Sequence, residues 1–528
     1  VRHKRLAPLL ATAGLLATSL PLLTATQVSA APAAEYRPQK PAWHRCSPDQ
    51  PASYECATLK VPLDYRRPGG RMIDLAISRM KSPDQAKRHG VMLLNPGGPG
   101  GSGLGLPLAV DGIMPGNVRE GYDLIGFDPR GVGASSPITC ELNDAEQNFD
   151  RAYRPESFPA DVAWARTVAE KCREKAGAVL PYITTRNTAR DMDAIRAALG
   201  ERKVSYLGYS YGTYLGAVYS QMFPERTDRF VLDSGVDPQR IWRGMIQVWA
   251  TEAEPAFQRW TRWAAERSAD NGLGDTPKAV SDTFWGLVAR ADREPVDLDG
   301  QKITGDALRS ARGLFFYPAQ ATPLIVAVKA AAEGKPLPAG MTAAEAGKLL
   351  SGGQPARPAG EPAPDNGTAV FWAVVCGDTG SWPRYTEQYE RDAAKDKARY
   401  PLYGDFASNI KPCAFWDRPV EAATPMRTRA NVLTVQNEWD SQTPLTSGQG
   451  LHRALKGSRM VLAAGGEGHG VYLADPTSCA NAPVSAYLAT GRLPAEDVTC
   501  TNPSGGAERR ASAAPAGPLP FPAGPHRF

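Results

Sequence analysis

Short runs of aliphatic and β-branched residues punctuate the chain at Ile73–Ser78, Val91–Leu94, Leu124–Phe127, Val204–Leu207, Phe230–Leu232, Val432–Val435 and Met460–Ala463. Most are continuous apolar stretches rather than alternations, and helix-length or glycine-rich segments separate them. Strands buried on both faces read this way, so the pattern predicts an α/β fold with a mostly parallel sheet covered by helices. Candidate helices cover 160–175, 188–199, 211–222 and 446–455. In the second, Met192, Ile195 and Leu199 recur at helical spacing.

The strand pattern stops after Asp233-Ser234-Gly235 and resumes at Asn431. The block between is helix-like, with Leu- and Ala-rich windows at 243–267, 277–292 and 318–333. It holds eight of the eleven Trp residues: Trp242, Trp249, Trp260, Trp263, Trp285, Trp372, Trp382 and Trp416. Tryptophans in such helices read as core packing. An insertion between late strands, at the sheet end where ligands bind, would form a lid. The expected organisation is therefore a signal peptide at 1–30, two parts of one α/β core at 31–238 and 426–502, a helical cap at 239–425, and a Pro/Gly/Ala-rich tail at 503–528. Within the cap, Gly352–Gly367 is predicted to be a surface loop, and the tail is predicted to be disordered.

Composition narrows the class. With 528 residues, 42% hydrophobic and 22% charged, the chain falls among globular proteins. It begins with a basic cluster, Arg2, Lys4 and Arg5, followed by a largely apolar run from Leu6 to Ala25 and small residues at Val28-Ser29-Ala30. Those are the three parts of a secretory signal, with cleavage expected after Ala30. Removing those three cations leaves 57 basic residues against 55 acidic ones, a net charge of +2. So small a charge gives no electrostatic case for nucleic acid or a membrane surface as partner. The cysteines are even in number and lack a Cys-x-x-Cys metal pair, which suits disulfides in an oxidising compartment. Nearest-neighbour pairing predicts Cys46–Cys56, Cys140–Cys172, Cys376–Cys413 and Cys479–Cys500.

The sharpest chemical signal is Gly208-Tyr209-Ser210-Tyr211-Gly212, between the strand-like Val204–Leu207 and a helix-like run. A strand turning this sharply into a helix pushes the serine hydroxyl out above the sheet and sets it at a helix N-terminus. Serine needs a base, and the base needs an acid to orient it. In this fold the order is Ser, acid, His, so the base lies downstream of Ser210. His452 sits in a helical stretch and His526 in the tail. His469 lies in the glycine loop Gly465–Gly470 beyond a strand and is the predicted base. Asp440, just past the strand Val432–Gln436, is the predicted acid. Glu438 competes for that role, and Asp440 ahead of Thr443-Pro444 also reads as a turn residue. The loop Asn95-Pro96-Gly97-Gly98-Pro99-Gly100-Gly101 can aim a backbone N–H at an oxyanion. Gly98 and Tyr211 are the predicted donors, with Gly97 the near alternative. A phosphate loop is excluded because no Gly-Lys-Ser/Thr closes the run.

These elements, with Gly126-Phe127-Asp128-Pro129-Arg130-Gly131-Val132-Gly133 and Asn187-Thr188-Ala189-Arg190-Asp191, resemble the secreted bacterial tripeptidyl aminopeptidases of the prolyl-aminopeptidase-like α/β-hydrolases. The resemblance covers most of the mature chain. It implies a metal-independent enzyme without cofactor, a triad of Ser210, Asp440 and His469, and peptide substrates with a free N-terminus. Such an enzyme needs a carboxylate for the substrate's ammonium group. Glu252, Glu254, Asp378 and Glu438 are available, and none matches a family motif. The expectation is a secreted, monomeric serine exopeptidase acting outside the cell. An extracellular esterase or prolyl aminopeptidase with the same triad is the alternative, and a non-catalytic binding protein of the same fold a more distant one.

Overall fold

Every apolar run singled out above becomes a strand. The computed structural model describes residues 36–298, 300–338, 341–342, 345–346, 363–427 and 429–502. The expected signal segment, the tail and most of the 352–367 stretch lie outside them. In chain order the strands are β1 (His44–Arg45), β2 (Tyr54–Pro62), β3 (Met72–Met80), β4 (Gly90–Asn95), β5 (Tyr122–Phe127), β6 (Val204–Tyr209), β7 (Thr227–Asp233), β8 (Val296–Leu298), β9 (Gln301–Ile303), β10 (Val432–Trp439), β11 (Arg459–Glu467) and β12 (Val498–Thr501).

Ten of them form one sheet in the order β1-β2-β3-β5-β4-β6-β7-β10-β11-β12. Pairing is parallel from β5 through β12 and antiparallel among β1, β2, β3 and β5. All residues of β4 and β6 are buried, as a strand covered on both faces requires. Val91 and Leu93 enter a core with the helices Phe158–Ala176, Thr185–Ala198 and Tyr211–Met222. Met92 and Leu94 enter the opposite core with Val484, Tyr487 and Leu488 of the helix Asn481–Thr490. Burying one such aliphatic side chain contributes about 1.5–3 kcal/mol, so the six central strands are the most strongly fixed part of the molecule. Loops borne on their ends inherit that rigidity.

β2 escaped the sequence reading because its signal is alternation rather than a run. Ala57, Leu59 and Val61 face inward while Thr58 and Lys60 are exposed, as expected near an antiparallel edge. β12 is short and half-exposed, so it carries little apolar signal.

Between β7 and β10 the chain leaves the sheet and forms helices including Arg243–Ala265, Pro277–Arg293, Pro318–Ala332, Asn366–Gly377 and Thr386–Arg399. This insertion has a core of its own, in which Phe257, Trp260, Phe284 and Phe315 pack with ring centroids 5.0–6.1 Å apart. Six of its eight Trp residues are buried and Trp263 and Trp285 are partly so, in keeping with packing. Two expectations need correction. The small hairpin β8–β9 interrupts the helices. The end of the predicted surface loop is not at the surface: Asp365 and Asn366 are buried. Asp365 accepts hydrogen bonds from the amides of Cys140 and Leu142 and the hydroxyl of Thr139, and Asn366 accepts from Gly133 N. Pro/Gly/Ala richness signalled a break in helix, but it could not reveal that the following polar pair plugs into the sheet-side loops.

The four expected disulfides form, Cys46–Cys56, Cys140–Cys172, Cys376–Cys413 and Cys479–Cys500. Among the described residues no helix is long and apolar enough to cross a membrane.

Candidate active site

The ends of β4, β6, β7, β10 and β11 lie along one edge of the sheet, where the loops after parallel strands converge. Ser210 follows β6 directly and precedes the helix Tyr211–Met222 with φ 57° and ψ −126°, a left-handed conformation that a non-glycine residue holds only under strain. Its amide donates to Asp233 O at 3.0 Å, while its carbonyl accepts from the amide and hydroxyl of Thr213 at 2.8 and 2.6 Å. The turn is so tight that a Cβ on Gly212 would lie 2.7 Å from Asn95 Oδ1. Ser210 is 3% exposed, and its hydroxyl makes no hydrogen bond among the described residues.

Asp440 and His469 meet. Nδ1 of His469 lies 2.9 and 3.0 Å from the two carboxylate oxygens of Asp440. Asp440 also accepts from the amides of Gln442 and Thr443 at 2.8 and 3.0 Å and from the Thr443 hydroxyl at 2.9 Å. The carboxylate therefore closes its own turn and holds the imidazole at the same time. Thr443 and Gln436, whose Nε2 donates to Thr443 O at 2.9 Å, complete this support. Neither residue was assigned a role at the site from sequence. Nε2 of His469 is buried without a hydrogen-bond partner, so no bond to Ser210 is formed. A nucleophile–base bond often closes only once substrate is bound.

The histidine loop is strapped from below. Asp233, at the end of β7, accepts from the amides of Val471 and Tyr472 at 3.0 and 2.7 Å. Ser234 Oγ accepts from Gly470 N, and Asn437 Nδ2 donates to Gly468 O, each at 2.9 Å. Burial pushes the Asp233 carboxyl up to about 7. Burial pushes His469 down, but the charge and hydrogen bonds of Asp440, helped by the charge of Asp233, outweigh it and hold the imidazole above its ordinary 6.5. Burial likewise opposes ionisation of Asp440, yet its pairing with His469 and two amides leaves it below the usual carboxylate value. A base must be neutral to act, so the acid limb of kcat/KM is expected above pH 6.5. Asp233→Asn should move that limb modestly to lower pH, because the imidazolium loses a supporting carboxylate that is only partly ionised there. A pH–rate profile of both proteins checks this, and an unmoved limb removes Asp233 from the site.

The loop after β4 passes directly over the serine. Gly97 has φ +103°, and a Cβ there would come within 2.6 Å of Tyr209 O and 2.8 Å of Ser210 Cβ. Its amide donates to Asn95 Oδ1 at 3.0 Å, so it is already engaged. That favours Gly98 over Gly97 as oxyanion donor. Tyr211 opens its helix, where first-turn amides have no intrahelical acceptor. Asp128 anchors the far end of the same loop by accepting from Ser102 Oγ, Gly103 N and Leu104 N. Two residues on, Arg130 makes a fully buried bidentate pair with Asp191 at 2.7 and 2.6 Å. These contacts give a physical role to two motifs that the sequence offered only as likeness.

The remaining candidates hydrogen-bond to groups other than Asp440 and His469. Glu438 accepts from Gly465 N at 2.7 Å and does not touch His469. Glu252 accepts from Thr446 Oγ1 at 3.1 Å and Glu254 from Leu402 N at 2.9 Å. Burial raises both of these carboxyls. Asp378, pushed up to about 6 by burial, accepts from Thr185 N, Thr185 Oγ1 and Trp242 Nε1 at 2.8, 2.6 and 3.2 Å. Thr185 Oγ1 in turn lies 2.9 Å from Tyr211 OH, so Asp378 steadies the Tyr211 side chain. His452 is paired with Ser458 and Asp497, away from the other groups. Among the described residues no cluster of three or more His, Cys, Asp or Glu is arranged to hold a metal.

A strained serine between a parallel strand and a helix, with a carboxylate and a histidine delivered by later strands, defines a serine hydrolase of the α/β-hydrolase fold. Sequence comparison agrees: residues 90–282 match the family described as alpha/beta hydrolase fold and residues 400–500 that described as TAP-like protein. The chain is 36% identical over 480 residues to the tripeptidyl aminopeptidase of Streptomyces lividans, covering 87% of this chain and 86% of that one. It is 30% identical over 471 residues to serine protease Hip1 of Mycobacterium tuberculosis H37Rv, covering 85% and 88%. It is also 31% identical over 535 residues to carboxylesterase B of Mycobacterium tuberculosis CDC 1551, covering 94% and 99%. The chain belongs to the tripeptidyl-aminopeptidase-like family of α/β-hydrolases and is a serine peptidase of that fold.

Proposed function

We propose that the chain is an exported exopeptidase that releases tripeptides from free peptide N-termini through an acyl-enzyme. The observation that carries this reading is the buried Asp440–His469 pair, at 2.9 Å, on the same sheet edge as the strained Ser210. Ser210 Oγ attacks the scissile carbonyl. Nε2 of His469, the nitrogen left without a partner, takes the proton and later gives it to the leaving amine. Asp440 fixes the tautomer that leaves Nε2 unprotonated and stabilises the imidazolium. The amides of Gly98 and Tyr211 receive the oxyanion, each such donor being worth about 2.7–4 kcal/mol in the transition state. Water then releases the acyl group.

In the same reading the insertion, residues 239–425, caps the core formed by 31–238 and 426–502. Its contact with the oxyanion loop supports that role: a Cβ on Gly100 would lie 2.6 Å from Gly367 O. The four disulfides suit a monomeric enzyme working outside the cell after loss of residues 1–30. The ammonium anchor is drawn from Glu252, Glu254, Asp378 and Glu438. It is the carboxylate whose Gln or Asn variant raises KM for a free tripeptidyl substrate without lowering kcat.

The deciding measurement compares tripeptidyl-, aminoacyl- and N-acetyl-tripeptidyl chromogenic amides. Cleavage of the free tripeptidyl amide is expected, with little or none of the acetylated one. Equal cleavage of the acetylated form would remove the exopeptidase assignment. The likeness to a carboxylesterase favours one second reading, an esterase using the same three side chains. That enzyme would turn over p-nitrophenyl esters and leave all three amides intact.

A further inference from the structure

Arg312 is a buried cation that the reaction above does not use. It lies in the insertion, 2% exposed, and forms no ion pair among the described residues. Trp249 and Tyr403 cover its guanidinium, whose carbon is 4.6 Å from each ring centroid. Its Nε has no hydrogen-bond partner, and its Nη1 donates to the carbonyl of Ser441 at 3.0 Å. The nearest counter-charge is Asp150, which accepts from the Tyr403 hydroxyl and supports the cation only at longer range, against the cost of burial. An apolar side chain of similar volume would fill the same space without that cost. Packing is therefore a poor reason for an arginine here. The bond to Ser441 is the better one.

That bond reaches Asp440 through a single peptide group. The Ser441 carbonyl held by Arg312 belongs to the same peptide unit as the Gln442 amide, which donates to Asp440 Oδ1 at 2.8 Å. The next unit repeats the arrangement. Trp249 Nε1 donates to the Gln442 carbonyl at 2.6 Å, and the amide at the other end of that unit, Thr443 N, donates to the same Oδ1 at 3.0 Å. Two consecutive peptide groups thus point their N–H ends at the carboxylate and their C=O ends at the insertion. Donors at the carbonyl end polarise a peptide group and strengthen the bond its N–H makes.

We propose that Arg312 and Trp249 are positioning residues for Asp440: by gripping the two carbonyls after it, they hold the carboxylate against His469 and make its placement depend on a seated insertion. This rests on the reading of Asp440 and His469 as acid and base. The test uses the full chain with Arg312→Met, Arg312→Lys and Trp249→Phe, measuring kcat and KM, the rate of fluorophosphonate labelling of Ser210, the pH profile and the melting temperature. Arg312→Met is expected to lower kcat and the labelling rate about ten- to a hundredfold with KM changed less than about threefold, the scale of a slightly misplaced group. The acid limb of kcat/KM should shift to lower pH, because a loosened carboxylate supports the imidazolium less. Arg312→Lys, which restores a charged donor, should recover part of the loss. Trp249→Phe keeps a smaller aromatic face over Arg312 and deletes the N–H that holds Gln442 O, so it should move both readouts the same way by less.

Folded variants with wild-type kcat and an unmoved acid limb would overturn the proposal, as would a loss matched only by a smaller folded fraction. Should Arg312→Met fail to fold, Trp249→Phe decides by the same two readouts. Asp440→Asn measured alongside separates the two levels. If it keeps wild-type activity, the acid–base reading fails; if it is inactive while the insertion variants are normal, only the present inference fails.

Discussion

Ser210→Ala is expected to lower kcat by about 10⁶-fold, a loss as large as removing the whole catalytic set, because the three groups act as one unit. Fluorophosphonate labelling should vanish with it. The fold should survive. Ser210 Oγ makes no hydrogen bond among the described residues, so its removal leaves no buried partner unsatisfied. Alanine keeps the Cβ, and with it the strain of a side chain held at φ 57°, so circular dichroism and melting temperature should match the parent. Ser210→Gly makes the complementary prediction. It is equally inactive, yet relief of a strain of about 1–3 kcal/mol should raise its melting temperature above that of Ser210→Ala. Retained cleavage of the tripeptidyl amide by either variant would mean that the nucleophile lies elsewhere. A glycine variant no more stable than the alanine one would mean that the elbow is not strained.

The strands and the main helices were legible because burial on two faces writes itself as uninterrupted apolar runs. The same logic pointed to the candidate site: a serine, a carboxylate and a histidine, each within a few residues of the end of such a run, in the order the fold imposes. What stayed hidden has a different character. Asp233 looked like punctuation at the end of a strand, and nothing local says that its oxygens hold two amides at Val471 and Tyr472. Thr443 and Asn437 are ordinary polar residues whose partners lie 3 to 33 positions away. Arg312 is separated from Ser441 by 129 residues and sits in a helical block whose composition speaks only of packing. Periodicity reports which face of an element is buried. It carries no record of which polar group a distant loop brings to meet it, and the supports of the site are made almost wholly of such meetings.

Asp440→Asn tests those meetings most directly and should lower kcat by about 10⁴-fold with little change in structure. The amide oxygen can still accept from Gln442 N and Thr443 N, so the turn survives. Its NH₂ then faces Nδ1 of His469 and can only donate, which forces the proton onto Nε2, the nitrogen that must be free to accept from Ser210. Asp440→Ala is the harsher change, since it leaves those amides and the Thr443 hydroxyl unpaired at about 1–3 kcal/mol for each buried group. The pair also sets how stability depends on pH. Asp440 titrates below its ordinary 3.8 in the folded chain, so its contribution is present above that pH and is lost as pH falls through the lowered value. His469 titrates above 6.5, so its contribution is complete below 6.5 and is lost as pH rises through the raised value. The stability gap between parent and Asp440→Asn should therefore be widest between about pH 4 and pH 6.5 and shrink on either side. Melting temperatures of the two proteins from pH 3 to pH 9 measure it. A gap that does not vary with pH would mean that the carboxylate and the imidazole are not an ion pair in the folded enzyme.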